Sequence, residues 1–417
     1  MQQADTAVSS PLQASHAGQQ ARAARPLEGV RVLDFSRYVA GPHCTMLLAA
    51  FGADVIKIER PERGEDLRGR DPSLGGENLL FASCNRSKRS VAIDLYSKEG
   101  IEAVKKLAAE ADVLVENFRA GTLEKMGLDV KDLHAVNPRL VVTRISGFGQ
   151  SGPYVHRVAF DAIAQAMSGW MHLTGSPDGP PMMAGTVLGD YTTALYATIG
   201  TMMALRSRDQ TGIGQVVEAT LLGSASSLLM GYVAEYTGLG IEGSRAGNRD
   251  KYSFPCNAFQ TSGGEWIQLI ASTDTQFVNL MRAVGRPELG KDPRYSTVSA
   301  RAKTYLDLEQ IVGKWIKLQT LDVALAALDA ADVPHAQIAT IPDLVNNPQV
   351  RHSHLVDVTL PSGDEVSMIG VPIGLSRTPA VRGGVVPGIG EHTEQVLKDW
   401  LKLSDVEIRQ MKDAKAF

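Results

Sequence analysis

Between residues 27 and 146 short apolar runs alternate with helical patterns, and that alternation leaves few folds open. "LEGVRVLDFS" (27–36) is rich in Val and Leu and reads as a buried strand. "AGPHCTMLLAAFGA" follows, with Pro42 where a first helical turn tolerates proline and Gly52 where a helix stops. "DVIKIE" (54–59) is a second strand. Strand, helix and strand in so short a span form a βαβ unit, which requires parallel pairing. The pattern recurs through "SVAIDL" (90–95), a helix over 98–111, "VLVENF" (113–118), short helices over 121–135 and "LVVTRIS" (140–146). It predicts an α/β fold, a doubly wound domain built on a parallel sheet.

The spacing then predicts helices over 158–173 and 190–207 and a strand over 214–221. Residues 1–25 are rich in Ala, Gln and Ser and poor in large apolar residues, so they read as a disordered leader. They lack the apolar stretch of a secretory signal, and Asp5 and the shortage of basic residues argue against an organelle transit peptide. The expected organisation is a large domain over 26–221, a linker over 222–250, a small α+β domain over 251–340 and a return segment over 341–417 that completes the large domain. In the small domain one strand (265–271) and helices over 274–284, 297–318 and 321–331 are expected, with a last helix over 391–402.

A balance of 42 Lys+Arg against 46 Asp+Glu leaves no basic footprint for nucleic acid. The most apolar helix candidate, near 220–234, is interrupted by Gly223, Ser224, Ser226 and Ser227, which excludes a membrane span. Cys44, Cys84 and Cys256 have neither disulfide nor metal spacing, which favours a reducing, cytoplasmic setting. No metal site is expected, because His352 and His354 have no third partner in sequence.

The first βα turn, "SRYVAGP", lacks G-x-G-x-x-G, which disfavours an ordinary dinucleotide site. Cations nevertheless gather near the sheet's expected carboxyl edge: Arg37, Lys57, Arg60, Arg86, Lys88 and Arg89. They suit either a polyphosphate or a solvated charged rim. Asp161 stands four residues after Arg157, as in an i,i+4 ion pair on the expected helix. Asp190 follows Gly189 at the start of an apolar helix. It reads either as an N-cap or as a nucleophilic carboxylate beside backbone N–H groups that hold developing negative charge.

The stretches "PLEGVRVLDFSRYVAGPHCTMLLAAFGADVIKIERP", "NRSKRSVAIDL", "DVLVENFRAGTLEKMGL", "SGFGQSGPY", "FDAIAQAMSGWMHLTG", "LGDYTTALYA" and "GEHTEQVL" run in one order from about residue 26 to 398. With them the chain resembles the family III CoA-transferases, and most of all the branch that moves CoA from succinyl-CoA to dicarboxylates. The resemblance implies a Rossmann-like large domain, an interlocked homodimer of threaded rings and, in some members, a related second subunit. It implies an acyl-CoA and a small carboxylic acid as substrates, with CoA passing as a thioester and no permanently bound cofactor.

Residue by residue, Asp190 matches the family's catalytic aspartate. Arg60 matches a contact to the nucleotide part of CoA. Asn117, Phe118, Lys125 and Met126 match the adenine and phosphate pocket, with Lys125 where the family usually has arginine. Arg89 and Arg157 join the candidate CoA-binding cations. Val39 stands where oxalate-specific members have a glutamine, which disfavours oxalate; Arg37 in the same turn would then pair with the distal carboxylate of a dicarboxylate. Gly189 and the Gly41–Pro42 turn are the expected sources of oxyanion-binding amides, and Asp161 is expected to position a group or touch the CoA ribose. Related racemases carry a histidine before the aspartate that matches Asp161; Phe160 here removes one of the two bases they need.

Overall fold

A computed structural model describes residues 24–417; the expected leader lies largely outside the described residues. Six strands form one parallel sheet: β1 (Arg31–Asp34), β2 (Asp54–Glu59), β3 (Arg89–Ala92), β4 (Val113–Glu116), β5 (Val141–Ser146) and β6 (Val216–Thr220). Their order is β3-β2-β1-β4-β5-β6, the doubly wound arrangement, which reverses direction between β1 and β4.

Both faces of this sheet are covered, which is why its strands read as unbroken apolar runs. Alternate residues feed two cores. Leu33, Ile56, Leu114 and Val142 pack with Val104 and Leu107 of helix α2 (Lys98–Ala109). Val32, Val55, Val113 and Val141 pack on the other face against Cys44 and Leu48 of α1 (Ala40–Ala50) and Ala194 and Ala197 of α4 (Leu188–Thr211). Helix α1 stops before Gly52, whose φ of 104° suits glycine.

The helix expected over 158–173 begins at Asp161 instead. It runs as α3 (Asp161–Ser168), breaks at left-handed Gly169 and resumes for one turn, Trp170–Leu173. Helix α4 is longer than expected at both ends. The segment read as a linker contains two helices, Leu221–Ser227 and Met230–Leu239.

A second unit is built on an antiparallel sheet of Cys256–Gln260, Trp266–Ile270 and His335–Gln337, with Trp266–Ile270 in the middle. The two outer strands are additions to the one expected. The core of this unit joins Phe259, Ile267 and Leu269 to Phe277, Leu280, Val312 and Leu328. Arg301 is fully buried there, donating to the carbonyls of Phe254 and Tyr295 at 2.9 Å and lying over the Phe277 ring.

The chain then returns to the first unit. Val396 and Trp400, on helix Thr393–Leu401, enter the α2-side core, and the Trp400 indole donates to Asp54 at 2.9 Å. A further helix, Asp405–Asp413, follows the one expected to be last. Among the described residues no helix is long and apolar enough to cross a membrane.

Candidate active site

A cavity of about 310 Å³ opens at the carboxyl ends of β1 and β4, where the strand order reverses. Connections leave that point in opposite directions, so a crevice forms that open parallel sheets use for ligands. Arg37 to Ala40 after β1, Asn117 to Ala120 after β4, Ile145 to Gly149 at the end of β5, Val155, Arg157 to Phe160 and Asp190 supply its wall.

Asp190 is the third residue of α4, and Val187 is the N-cap, so the aspartate does not cap its own helix. Asp161, at the start of α3, takes over that task from outside. Its Oδ1 accepts the Gly189 amide at 2.7 Å and the Asp190 amide at 3.2 Å, while Oδ2 accepts from Gln165 Nε2 at 2.6 Å. A side chain on Gly189 would place Cβ 2.9 Å from that oxygen, so only glycine admits so close an approach. The Asp161 carboxylate therefore occupies the helix N-terminus, and no donor among the described residues reaches the Asp190 carboxylate. Burial first, and the neighbouring Asp161 charge second, push the Asp190 carboxyl up to about 7.

The sequence offers an ion pair between Arg157 and Asp161. Arg157 instead lies in the turn before the helix, its guanidinium over the rings of Phe148 and Tyr154, and does not contact Asp161. Phe160 is 60% exposed at the cavity wall and meets the Tyr38 ring edge-on, with centroids 6.0 Å apart.

Asn117 grips the turn after β1 through a reciprocal pair: the Arg37 amide donates to its Oδ1 at 2.8 Å and its Nδ2 donates to the Arg37 carbonyl at 2.7 Å. The Arg37 guanidinium stacks over Phe118, 5.2 Å from the ring centre. It also pairs with Asp66, which Arg60 shares. Val39 is buried as the N-cap residue of α1. The amides of Val39, Ala40 and Gly41 meet no acceptor among the described residues. Of the two expected amide sources, then, Gly189 is occupied by Asp161 and the Gly41–Pro42 turn is open.

The remaining cations scatter. Lys57 and Lys88 are buried beneath the turn, each against a carboxylate: Glu65 at 2.6 Å and Asp34 at 2.8 Å. Arg86 donates to the carbonyls of Ser83 and Ile369. Arg89 pairs with Asp54 and Asp399, toward the amino ends of the strands and away from the cavity. Lys125 is exposed at the end of a single helical turn, and half-buried Met126 packs on the α2-side core; neither lines the cavity. Arg119, which follows Phe118 in the stretch "DVLVENFRAGTLEKMGL" but is given no role there, does line it. Cys44 is core: burial holds its thiol up at about 12.

Residues 27–393 match the family described as CoA-transferase family III. A succinyl-CoA–D-citramalate CoA-transferase of Chloroflexus aurantiacus is 37% identical, covering 94% of this chain and 98% of that protein. The beta subunit of a succinyl-CoA–L-malate CoA-transferase of the same organism is 39% identical over 93% of this chain and 97% of that subunit. The crystal structure of a CaiB/BaiF family protein from Brucella suis superposes with a TM-score of 0.81 at 35% identity, over 90% of this chain and 99% of that one.

Proposed function

The chain belongs to CoA-transferase family III, and we propose that it moves CoA from succinyl-CoA to a free dicarboxylic acid with Asp190 as the nucleophile. The observation that carries this reading is a carboxylate without a hydrogen-bond donor, held on the wall of the switch-point cavity and raised to about 7. A poorly solvated, relatively basic carboxylate is a stronger nucleophile than one tied up by donors.

In the proposed sequence an Asp190 oxygen attacks the thioester carbonyl, the C–S bond breaks, and CoA leaves as thiolate from a mixed aspartyl–acyl anhydride. The thiolate attacks the aspartyl carbonyl, the anhydride C–O bond breaks, and the donor acid departs as carboxylate. The acceptor carboxylate then attacks the aspartyl thioester and releases thiolate. Attack of thiolate on the acceptor's own carbonyl gives the new acyl-CoA and restores Asp190. Each step exchanges one activated acyl group for another, so no proton or electron is left over.

The open amides of Val39 and Ala40 at the start of α1 are assigned to the tetrahedral oxyanions. The CoA nucleotide is assigned to the rim of Asn117, Phe118, Arg60 and Arg157, with Lys125 beyond it. Arg37 is assigned to the distal carboxylate of the acid, in exchange for Asp66. Phe160 leaves no imidazole across from Asp190, which speaks against racemisation at the α-carbon.

The interlocked homodimer belongs to the same proposal. It is supported by helix Met230–Leu239, which buries none of its residues and leaves Met230 75% and Leu239 73% exposed. An apolar groove of about 720 Å³ beside Leu195, Ile199, Met202 and Met203 points the same way. Cytoplasmic action is supported by three buried free cysteines.

The test is incubation with succinyl-CoA and a panel of mono- and dicarboxylates, with new thioesters read by mass spectrometry. Transfer by the native protein and none by Asp190→Ala is expected. Transfer surviving in Asp190→Ala would sink the mechanism, and exchange of an α-proton with deuterated water would favour the racemase instead.

A further inference from the structure

The turn between β1 and α1 is held by side chains to an unusual degree. Asp34 accepts the Ser36 amide at 2.9 Å, and Lys57 Nζ donates to the Ser36 carbonyl at 2.9 Å. Asn117 takes the amide and the carbonyl of Arg37, and Glu65 Oε1 accepts the Tyr38 amide at 3.2 Å. Five consecutive polar backbone groups thus have side-chain partners. The last of them belongs to a tyrosine with φ of 65°, a left-handed conformation that a bulky residue adopts only when its surroundings impose it.

A dinucleotide-binding turn uses glycines here and offers its amides to phosphate. In this chain carboxylates and an amide already occupy those of residues 36–38, which accounts physically for the missing glycine fingerprint.

Two of the partners form one unit. Lys57 is fully buried and its Nζ lies 2.6 Å from Glu65 Oε2. Glu65 is fixed in turn by its own amide, which donates to Glu59 at 3.1 Å. Arg68 locks Glu59 with two bonds of 2.8 Å.

We infer that Lys57 and Glu65 are positioning residues for CoA transfer. Through the Ser36 carbonyl and the Tyr38 amide they impose the left-handed turn that sets the Val39 and Ala40 amides on the cavity wall shared with Asp190. Neither side chain lines the cavity, so each acts through the turn. The inference rests on the reading of Asp190 as nucleophile.

The paired variant Lys57→Met/Glu65→Met removes both charges together and leaves neither of this pair facing a lost partner. With folding checked by thermal melting, kcat should fall at least tenfold while KM for succinyl-CoA stays within threefold. The hydrogen-bonded backbone amides of residues 36–38 should exchange with deuterium at least tenfold faster, with β4 and β5 still protected. Adding Tyr38→Gly, which takes the left-handed conformation without strain, should recover part of the lost kcat.

A folded paired variant with kcat within twofold of native and unchanged exchange overturns the inference. Should the pair fail to fold, Glu65→Gln serves: it keeps an acceptor for Tyr38 but removes the charge facing Lys57. A kcat loss with KM held supports the clamp, and native kcat overturns it. Failure of the Asp190 reading is separable, because it appears as the absence of a CoA adduct on Asp190 in the native protein, whatever the exchange data show.

Discussion

Replacing Asp161 by asparagine removes the charge beside Asp190 while keeping an acceptor for the two amides at the start of α4. The amide oxygen of the Asp161→Asn side chain keeps an acceptor for the Gly189 and Asp190 amides, which Asp161 holds at 2.7 and 3.2 Å. What leaves is the negative charge, together with the acceptor for Gln165 Nε2 at 2.6 Å, on the side of Asp161 away from the two amides. Asp190 stands at about 7 against 3.8 for an ordinary aspartate, with burial the larger cause and Asp161 the second. The whole rise is worth roughly 4 kcal/mol at about 1.4 kcal/mol per unit. The smaller share assigned to Asp161 makes a downward shift of about one unit the expectation for Asp161→Asn.

The proposed nucleophile works as carboxylate, so native activity should be lost as pH falls through about 7. In Asp161→Asn that acid limb should lie about one unit lower. Two ionisation curves displaced by one unit differ about fivefold in carboxylate fraction near pH 6 and converge by pH 8. The assay is kcat/KM for succinyl-CoA from pH 5 to 9 in native and variant protein. A limb that stays in place, or moves up, refutes the claim that Asp161 raises Asp190 by charge.

The same raised carboxyl predicts a stability effect of definite sign. Between about 4 and 7 the unfolded chain has released this proton and the folded chain still holds it, so stability falls as pH rises through that window. Asp190→Asn should therefore be more stable than native by about 2 kcal/mol at pH 8, after a discount for partial solvent access, and close to native at pH 4.5. Denaturant titration at both pH values checks it. Gly189→Ala should cost about 1–3 kcal/mol, because its Cβ would press on Asp161 at 2.9 Å, and should lower transfer activity alongside. A Gly189→Ala protein with native melting temperature and activity would show that Asp161 moves aside freely.

The parallel sheet was legible because its strands are covered on both faces and so appear as apolar runs, and because prolines and glycines punctuate them. The strand Cys256–Gln260 was not, since "CNAFQ" mixes polar and apolar residues and pairs only with its antiparallel neighbour. The helix candidate near 220–234 overlaps Met230–Leu239 without finding its ends, because that helix buries no residue in this chain and so carries no one-sided pattern. At the site, the Gly189–Asp190 pair stood out through its position at a helix start. That Asp161 caps this helix did not, because the bond spans 28 residues and depends on where α3 begins. The cation cluster misled for a related reason: charge in sequence does not tell a free guanidinium from Lys57 or Lys88, each sealed against a carboxylate. The turn "SRYVAGP" lacks glycine at the one residue with φ of 65°, so its shape comes from partners distant in sequence.

The seating of Trp400, 3% exposed in the core that Leu33 and Ile56 begin, bears on how the chain is made. A ribosome delivers β1 to β6 and α2 first, but that core lacks its last covering helix until residue 401 has been synthesised. At cellular elongation rates the interval after Thr220 lasts on the order of ten to forty seconds. During it the unit around Phe259 and Ile267, whose core draws on residues 259–333, is wholly synthesised, while the first core still waits for Val396 and Trp400. Stop codons or frameshifts anywhere before codon 393 would leave nascent chains with an open apolar face, whatever their distance from the cavity.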